Sequence, residues 1–382
     1  MKLIKNADVY MPEHLGMRDI LIEGDKLFKI LPAIQGYEEL DGVEVFDANG
    51  AVTVPGYMDL HIHITGGGGE QGPASRVPEI PLTELTKNGV TTVIGLLGTD
   101  GISRSLENLL FKCRALNEEG VTCYMLTGSY QYPSVTITGS VINDIALIDR
   151  VVGVKVALND HRSSNITVQE LIRLGSDARL GGMLSGKPGV VTIHMGNGKE
   201  CFSRLFEAVE QSDLPIKTYF PTHVGRSREM IKDAARFTMM GGRVDFTAGR
   251  VGGTFTLMRE AIESFGANPR CMTISSDAFG SMPVFDKNGV CTGITYTSPY
   301  ILHEEIKNAV RNNVFTLEEA LCFLTRNTAQ VIGLEGVKGE LKEGMDADII
   351  IYHKDLSIRD VFARGKLMVK NGNPLVKGRF EA

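Results

Sequence analysis

Pro55-Gly56-Tyr57-Met58-Asp59-Leu60-His61-Ile62-His63 reads as an apolar β-strand that ends in two histidines one residue apart. Side chains alternate along a strand, so His61 and His63 project to one side and converge on one volume. Two imidazoles on a buried face carry a desolvation cost that some partner must offset. A hydrogen-bonded core pair would do this, and so would a metal ion. The metal reading requires further ligands elsewhere in the chain.

From Pro55 onward, strand-like and helical segments alternate, the pattern of βαβ units around a parallel sheet. After the His61/His63 strand come Val90–Leu97, Val121–Thr127, Val151–Leu158, Val190–His194, Ile216–His223, Arg243–Thr247 and Arg270–Ser275. One intervening helix is expected over Ile102–Glu118, with Ile102, Leu106, Leu109, Leu110, Cys113 and Leu116 as its apolar stripe. Another runs over Met230–Met240 and stops at Gly241-Gly242. Thr316-Leu317-Glu318-Glu319 is a capping box that opens a later helix. Eight strand-helix repeats predict an α/β fold, a (β/α)8 TIM barrel with its function at the carboxyl ends of the strands.

The flanks have a different texture. Residues 2–10, 19–30 and 43–54 are short apolar runs separated by Glu23-Gly24-Asp25 and Asn49-Gly50, and β texture returns at Asp348–Tyr352 and Val361–Val369. These segments predict a small β-sandwich domain of antiparallel strands built from both termini, residues 1–54 and 339–382, around a catalytic barrel of residues 55–338. His14 is expected to be solvated in a loop.

The chain has 382 residues, 43% of them hydrophobic, and a formal net charge of −6. That balance provides a large core and no basic footprint for nucleic acid or anionic membrane. No apolar run approaches ~18 residues and no signal-like segment follows Met1, so a cytoplasmic location is expected. Cys113, Cys123, Cys201, Cys271, Cys291 and Cys322 are scattered without a C-x-x-C pair and read as reduced core residues.

Genuine metal ligands should recur at other strand ends. Lys155 lies in the fourth strand, His194 closes the fifth, His223 closes the sixth, and Asp277 follows the eighth. Each has a structural explanation taken singly; their convergence favours a metal. Imidazole and carboxylate are ordinary zinc ligands. Lys155, among Val154, Val156 and Ala157, is expected to have a lowered pKa and a nucleophilic amine able to react with CO₂ to give a carbamate.

These residues, with Gly339-Glu340-Leu341 and Gly344-Met345-Asp346-Ala347-Asp348, resemble the amidohydrolase superfamily. Gly66-Gly67-Gly68-Gly69-Glu70-Gln71-Gly72-Pro73, Gly95-Leu96-Leu97-Gly98-Thr99-Asp100, Met125-Leu126-Thr127-Gly128-Ser129-Tyr130, Asp160-His161-Arg162-Ser163, His194-Met195-Gly196 and Pro221-Thr222-His223-Val224 resemble, more narrowly, its isoaspartyl (β-aspartyl) dipeptidases. The resemblance implies two Zn²⁺ per subunit: His61, His63 and Asp277 on the first, His194 and His223 on the second, and Lys155 carboxylated by CO₂ as the bridge. It also implies a metal-bridging hydroxide as nucleophile, Asp277 as general base and acid, and Tyr130 polarising the scissile carbonyl. A dipeptide substrate and a homo-oligomer, with an octamer as the assembly considered, are implied as well.

A β-aspartyl dipeptide carries one α-amino group and two carboxylates, so its pocket needs an acid and strong cationic groups. Glu70 supplies the acid, and Arg162 and Arg226 can each grip a carboxylate bidentately. The resemblance adds Ser281, Thr99 and the backbone of the Gly66–Gly69 run, Gly68 included. Ala278 and Phe279 stand where the family suggests small polar residues, and Arg250 adds an unassigned charge. Gly181–Pro188 imitates a P-loop, but Pro188 stands where a hydroxyl must meet Mg²⁺. His161, His303 and His353 read as solvated or structural. A cyclic-amide hydrolase such as a dihydroorotase or hydantoinase is the competing enzyme class. Against dihydroorotase, Thr65 occupies the place of its arginine two residues after His63, and an uncharged ring leaves Glu70 unexplained. An inactive scaffold on the same fold would lack ligands, and none is missing from the set.

Overall fold

The computed structural model describes residues 1–249, 253–285 and 291–381. Its strands are β1 (Lys2–Tyr10), β2 (His14–Glu23), β3 (Lys26–Leu31), β4 (Glu44–Asp47), β5 (Val52–Pro55), β6 (Tyr57–Ile62), β7 (Val90–Gly95), β8 (Thr122–Gly128), β9 (Val151–Leu158), β10 (Val190–Met195), β11 (Tyr219–Thr222), β12 (Val244–Thr247), β13 (Met272–Ser275), β14 (Ser281–Phe285), β15 (Cys291–Tyr296), β16 (Ile349–Tyr352), β17 (Ile358–Ala363), β18 (Lys366–Lys370) and β19 (Asn373–Pro374).

Strands β6 to β13 form one parallel sheet in sequential order, wrapped into a nearly closed (β/α)8 barrel. Helices cover its outer face and side chains fill its interior, so a strand such as β9 is buried at every position. The seam between β6 and β13 lacks a ladder and is bridged at its upper end by Ile62 and Ala278, where the amide of His63 donates to the Ala278 carbonyl at 2.9 Å.

Element boundaries differ from the periodicity reading in three places. Ile216–Thr218 is a 3₁₀ turn closed by the Pro215 carbonyl, which leaves the sixth strand only four residues. Pro269–Cys271 is a second such turn, capped by Asn268, and delays the eighth strand to Met272. The helix expected from Ile102 begins at Leu106, because Asp100 draws the amides of Ile102 and Ser103 into a turn and Ser105 provides the N-cap. Ile102 is consequently 95% exposed. The Thr316 capping box forms as read, with reciprocal bonds to Glu319.

The terminal segments build one nine-stranded sheet, β19-β18-β17-β16-β5-β1-β2-β3, with β4 also on β1. The expectation of uniformly antiparallel strands fails at β1, which pairs parallel with both β4 and β5. The chain returns from β3 along the other side of β1, and a kink at Asn6 (φ 55°) separates the two partners. His14 is not a loop residue: it begins β2, stacks on Tyr10 and contacts Asp8 Oδ1 at 2.7 Å. Ile4, Val9, Ile20, Ile22, Ile349, Ile351 and Phe362 form this sheet's core.

The sheet is tied to the barrel by polar contacts. Tyr57 at the start of β6 bonds to His303 Nδ1 at 2.9 Å and to Tyr352 in β16, which makes His303 a buried structural residue. His161 is exposed and reaches only Asp160, at 3.6 Å. Of the cysteines, Cys113, Cys123, Cys201, Cys271 and Cys322 are free thiols; the side chain of Cys291 lies outside the described set. Among the described residues, no helix is long and apolar enough to cross a membrane.

Lys338 is buried between Asp346 (2.7 Å) and Asp348 (2.6 Å), where the barrel hands the chain back to the sheet. Removing one partner of a buried ion cluster strands the other charges. Lys338→Met should therefore lower unfolding free energy by about 3–5 kcal/mol, read as a reduced urea midpoint. An unchanged midpoint would show that the cluster adds nothing to stability.

Candidate active site

The carboxyl ends of β6, β9, β10, β11 and β13 bring His61, His63, Lys155, His194, His223 and Asp277 together. His61 Nε2 lies 3.0 Å from Lys155 Nζ and 3.4 Å from Asp277 Oδ1, and His63 Nε2 lies 3.2 Å from the same oxygen. The His223 ring is 4.8 Å from that of His61 and 4.5 Å from that of His194. Ligand atoms of His61, His223 and Asp277 lie within 4.8 Å of one another.

The chemistry of this cluster fits a cation. His223 Nε2 is buried and has no hydrogen-bond partner among the described residues, an uncommon state for buried nitrogen that a ligated ion would relieve. His223 and Asp277 hold positive φ values of 64° and 50°, strained backbone for residues with side chains and a frequent mark of functional sites.

Electrostatics point the same way. Burial lowers the Lys155 ammonium to about 7, leaving a large fraction of neutral amine at neutral pH. Burial also pushes His194 down to about 3 and His61 and His223 well below their ordinary value, so these imidazoles are neutral and able to ligate. For Asp277, burial would raise the carboxyl, but His61, His63 and Lys155 outweigh it and hold the group ionised.

Surrounding groups orient these side chains. Thr247 Oγ1 contacts His223 Nδ1 at 2.6 Å, which turns Nε2 inward. His194 differs from the other imidazoles because both nitrogens are engaged, Nδ1 with Tyr130 Oη at 2.6 Å and Nε2 with Asp160 Oδ2 at 2.9 Å. Ligation through Nδ1 would displace the tyrosine hydroxyl. Beneath the site, Asp59 accepts from the amides of His61 and Ser276, both at 3.2 Å, and from the Ser276 hydroxyl, clasping the seam between the first and eighth strands. Asp245 accepts from Thr273 (2.7 Å) and Ser275 (2.5 Å). Burial raises both carboxyls to about 7.

Beside the cluster, Glu70 gathers the other expected residues. Its carboxylate accepts from Thr99 Oγ1 at 3.1 Å and from Ser281 Oγ at 3.0 and 3.1 Å, and Arg162 Nη1 lies 3.4 Å away. Arg226 pairs with no carboxylate among the described residues; its guanidinium shares the field of Tyr130, Asp277 and Asp160. Gly68 (φ 81°) leaves no room for a side chain, since a Cβ would fall 2.3 Å from the Ser75 carbonyl. Phe279 is buried, packs on Tyr296 at 5.0 Å and accepts the Gly67 amide at 2.8 Å, so it braces the glycine loop. Ala278 is buried too. Arg250 lies outside the described residues.

Several contributors escaped the sequence reading. Arg104, only 7% exposed, donates to the carbonyls of Thr65, Gly67 and Val77 and holds the loop that carries Glu70. Asp160 and Thr247 contact the rings of His194 and His223, and Asp59 and Asp245 tie together the strands beneath them. Asp59 and Asp160 lie inside the strand-end motifs; Arg104 and Thr247 carry no local signal.

The sequence profile of the amidohydrolase family matches residues 52–368. A crystal structure of a β-aspartyl dipeptidase from the thermophilic keratin-degrading Fervidobacterium islandicum AW-1, in complex with β-Asp-Leu, is 40% identical with a TM-score of 0.91 and overlaps 100% of this chain and 99% of that one. Among sequence relatives, the dihydroorotase of Staphylococcus aureus (strain Mu50 / ATCC 700699) is 36% identical over 108 residues, 28% of this chain and 24% of that protein. The dihydroorotase of Elusimicrobium minutum is 25% identical over 405 residues, 95% of this chain and 90% of its own length.

The depressed histidines make a prediction about the metal-free protein. Unfolded, each binds its proton near pH 6.5, whereas folded it does not until lower pH, so the unfolded state carries more protons and stability falls as pH drops below 6.5. Asp59 and Asp245, raised to about 7, take up protons in the folded state over the same range and offset part of that loss. In the presence of chelator, urea unfolding at pH 6.5 and 5.5 should therefore show a net loss of about 1 kcal/mol, and a stability that rises as pH falls would contradict the burial of neutral imidazoles.

Proposed function

The chain belongs to the amidohydrolase family, and from that premise we propose that it is a zinc-dependent dipeptidase hydrolysing the isopeptide bond of β-aspartyl (isoaspartyl) dipeptides. The observation that carries the reading is Glu70, a carboxylate held by Thr99 and Ser281 within reach of Arg162 beside the histidine cluster. Support comes from the 40% identical β-aspartyl dipeptidase solved with β-Asp-Leu. Residues 55–338 are assigned to the catalytic domain, and residues 1–54 with 339–382 to the small β-domain.

His61, His63 and Asp277 would hold one zinc and His194 and His223 the other. The neutral amine of Lys155 would attack CO₂ and release a proton, and the resulting carbamate would supply a further carboxylate ligand. Zinc, when bound there, acidifies water and polarises the carbonyl oxygen. Asp277 accepts the proton of the attacking water and delivers it to the leaving amine. Burial pushes the Tyr130 hydroxyl up, so it stays protonated and can donate to the developing oxyanion. Glu70 takes the substrate's α-ammonium, Arg162 and Arg226 take its carboxylates, and Thr99, Ser281 and the Gly68 backbone hold that arrangement. A cytoplasmic, homo-oligomeric enzyme is part of the same proposal.

The dihydroorotase relatives keep a cyclic-amide substrate in competition. Thr65 in place of an arginine, and the assembled acid-and-arginine pocket, favour the dipeptide. Purified zinc-loaded protein should cleave β-Asp-Leu and leave α-Asp-Leu, dihydroorotate and hydantoin essentially untouched, and chelation should abolish turnover. Equal cleavage of the α-linked isomer, or turnover of a ring substrate instead, overturns the reading. Glu70→Gln should lower kcat/KM roughly 10- to 100-fold, the worth of one charge-assisted hydrogen bond, with metal content unchanged; wild-type kcat/KM in that variant would refute the role given to Glu70.

A further inference from the structure

Asp160, just past β9, has no part in the proposed hydrolysis or substrate grip, yet it is 7% exposed and each of its oxygens serves two donors. Oδ1 accepts the Arg162 amide and Nε, both at 2.9 Å. Oδ2 accepts Arg162 Nη2 and His194 Nε2, also at 2.9 Å. The contacts close into a ring: the Arg162 guanidinium lies 5.2 Å from the Tyr130 ring centroid, and Tyr130 Oη bonds to His194 Nδ1. An ion pair that only fixed Arg162 would not need the histidine.

We propose that Asp160 is a positioning residue that couples recognition of a substrate carboxylate at Arg162 to the metal-ligating geometry of His194. The substrate half rests on the function proposed above; the metal half rests on the histidine cluster alone. By accepting the Nε2 proton, Asp160 selects the tautomer whose Nδ1 lone pair faces the site, the usual service of a carboxylate behind a metal-bound histidine. By gripping Nε and Nη2 together, it fixes the plane of the guanidinium and leaves Nη1 for Glu70 and ligand. A shift of Arg162 is thereby felt at His194.

Asparagine in place of Asp160 has one acceptor oxygen and one donor amide, so it cannot satisfy both partners. Asp160→Asn should weaken zinc affinity, measured by competition with a chromophoric chelator, about 10- to 100-fold. At saturating zinc its kcat should recover while its KM for β-Asp-Leu stays raised, a split that general structural damage would not produce. Arg162→Lys, which touches no proposed ligand, should also weaken zinc affinity several-fold through Asp160, whereas Thr99→Ala, at Glu70 but off the ring, should not. Wild-type zinc affinity in Arg162→Lys, or in a folded Asp160→Asn, overturns the coupling, and Arg162→Lys decides the question if Asp160→Asn does not fold. The zinc measurements need no substrate. Failure of the wild-type protein to cleave β-Asp-Leu would therefore sink the dipeptidase reading without deciding the coupling.

Discussion

Desolvation at the carboxyl mouth of the barrel is the constraint on which the rest depends. Eight apolar strands hold four buried imidazoles, a buried amine and a half-buried carboxylate at their carboxyl ends. Such groups are tolerated only when neutralised or partnered. The molecule uses both routes: burial shifts Lys155, His61, His194 and His223 toward their neutral forms, and Asp277 keeps its charge because the groups around it stabilise the anion. Around them, Asp160 and Thr247 engage His194 and His223, and Asp59 and Asp245 accept from amides and hydroxyls of the strands beneath.

The same constraint shapes the glycine loop beside the cluster. A glycine loop can approach the cluster because it lacks side chains, but its carbonyls then need donors, and the buried guanidinium of Arg104 supplies them. Phe279 seals the loop from the opposite side. Glu70 therefore hangs from a braced loop, 3.4 Å from Arg162.

Legibility varied with the range of the interaction. The barrel was readable because buried parallel strands must be apolar throughout, and runs such as Val151–Leu158 have few other interpretations. Strand ends were less readable at Ile216 and Arg270, where local proline and asparagine chemistry replaced extended backbone by 3₁₀ turns. The six clustered residues were legible because five strand ends of one barrel share a face. Asp59 and Asp160 were visible as letters in motifs, but their work lies in bonds to residues 217 and 34 positions away.

By itself, the sequence determined the α/β class, the order of the barrel strands and which histidines, lysine and acid fall at their ends, since these follow from apolar periodicity and from the alternation of side chains on a strand. Only the tertiary structure decided the parallel pairing of β1, the clasp of Asp59 across the seam, the anchorage of the glycine loop on Arg104 and the ring through Asp160. Each of those is a contact between segments far apart in the chain, selected by which buried donor happened to need an acceptor, and no local pattern encodes that need. The histidine pair at His61 and His63 belongs to both accounts: its shared face is written in the strand, and its partners are supplied by the closing of the barrel.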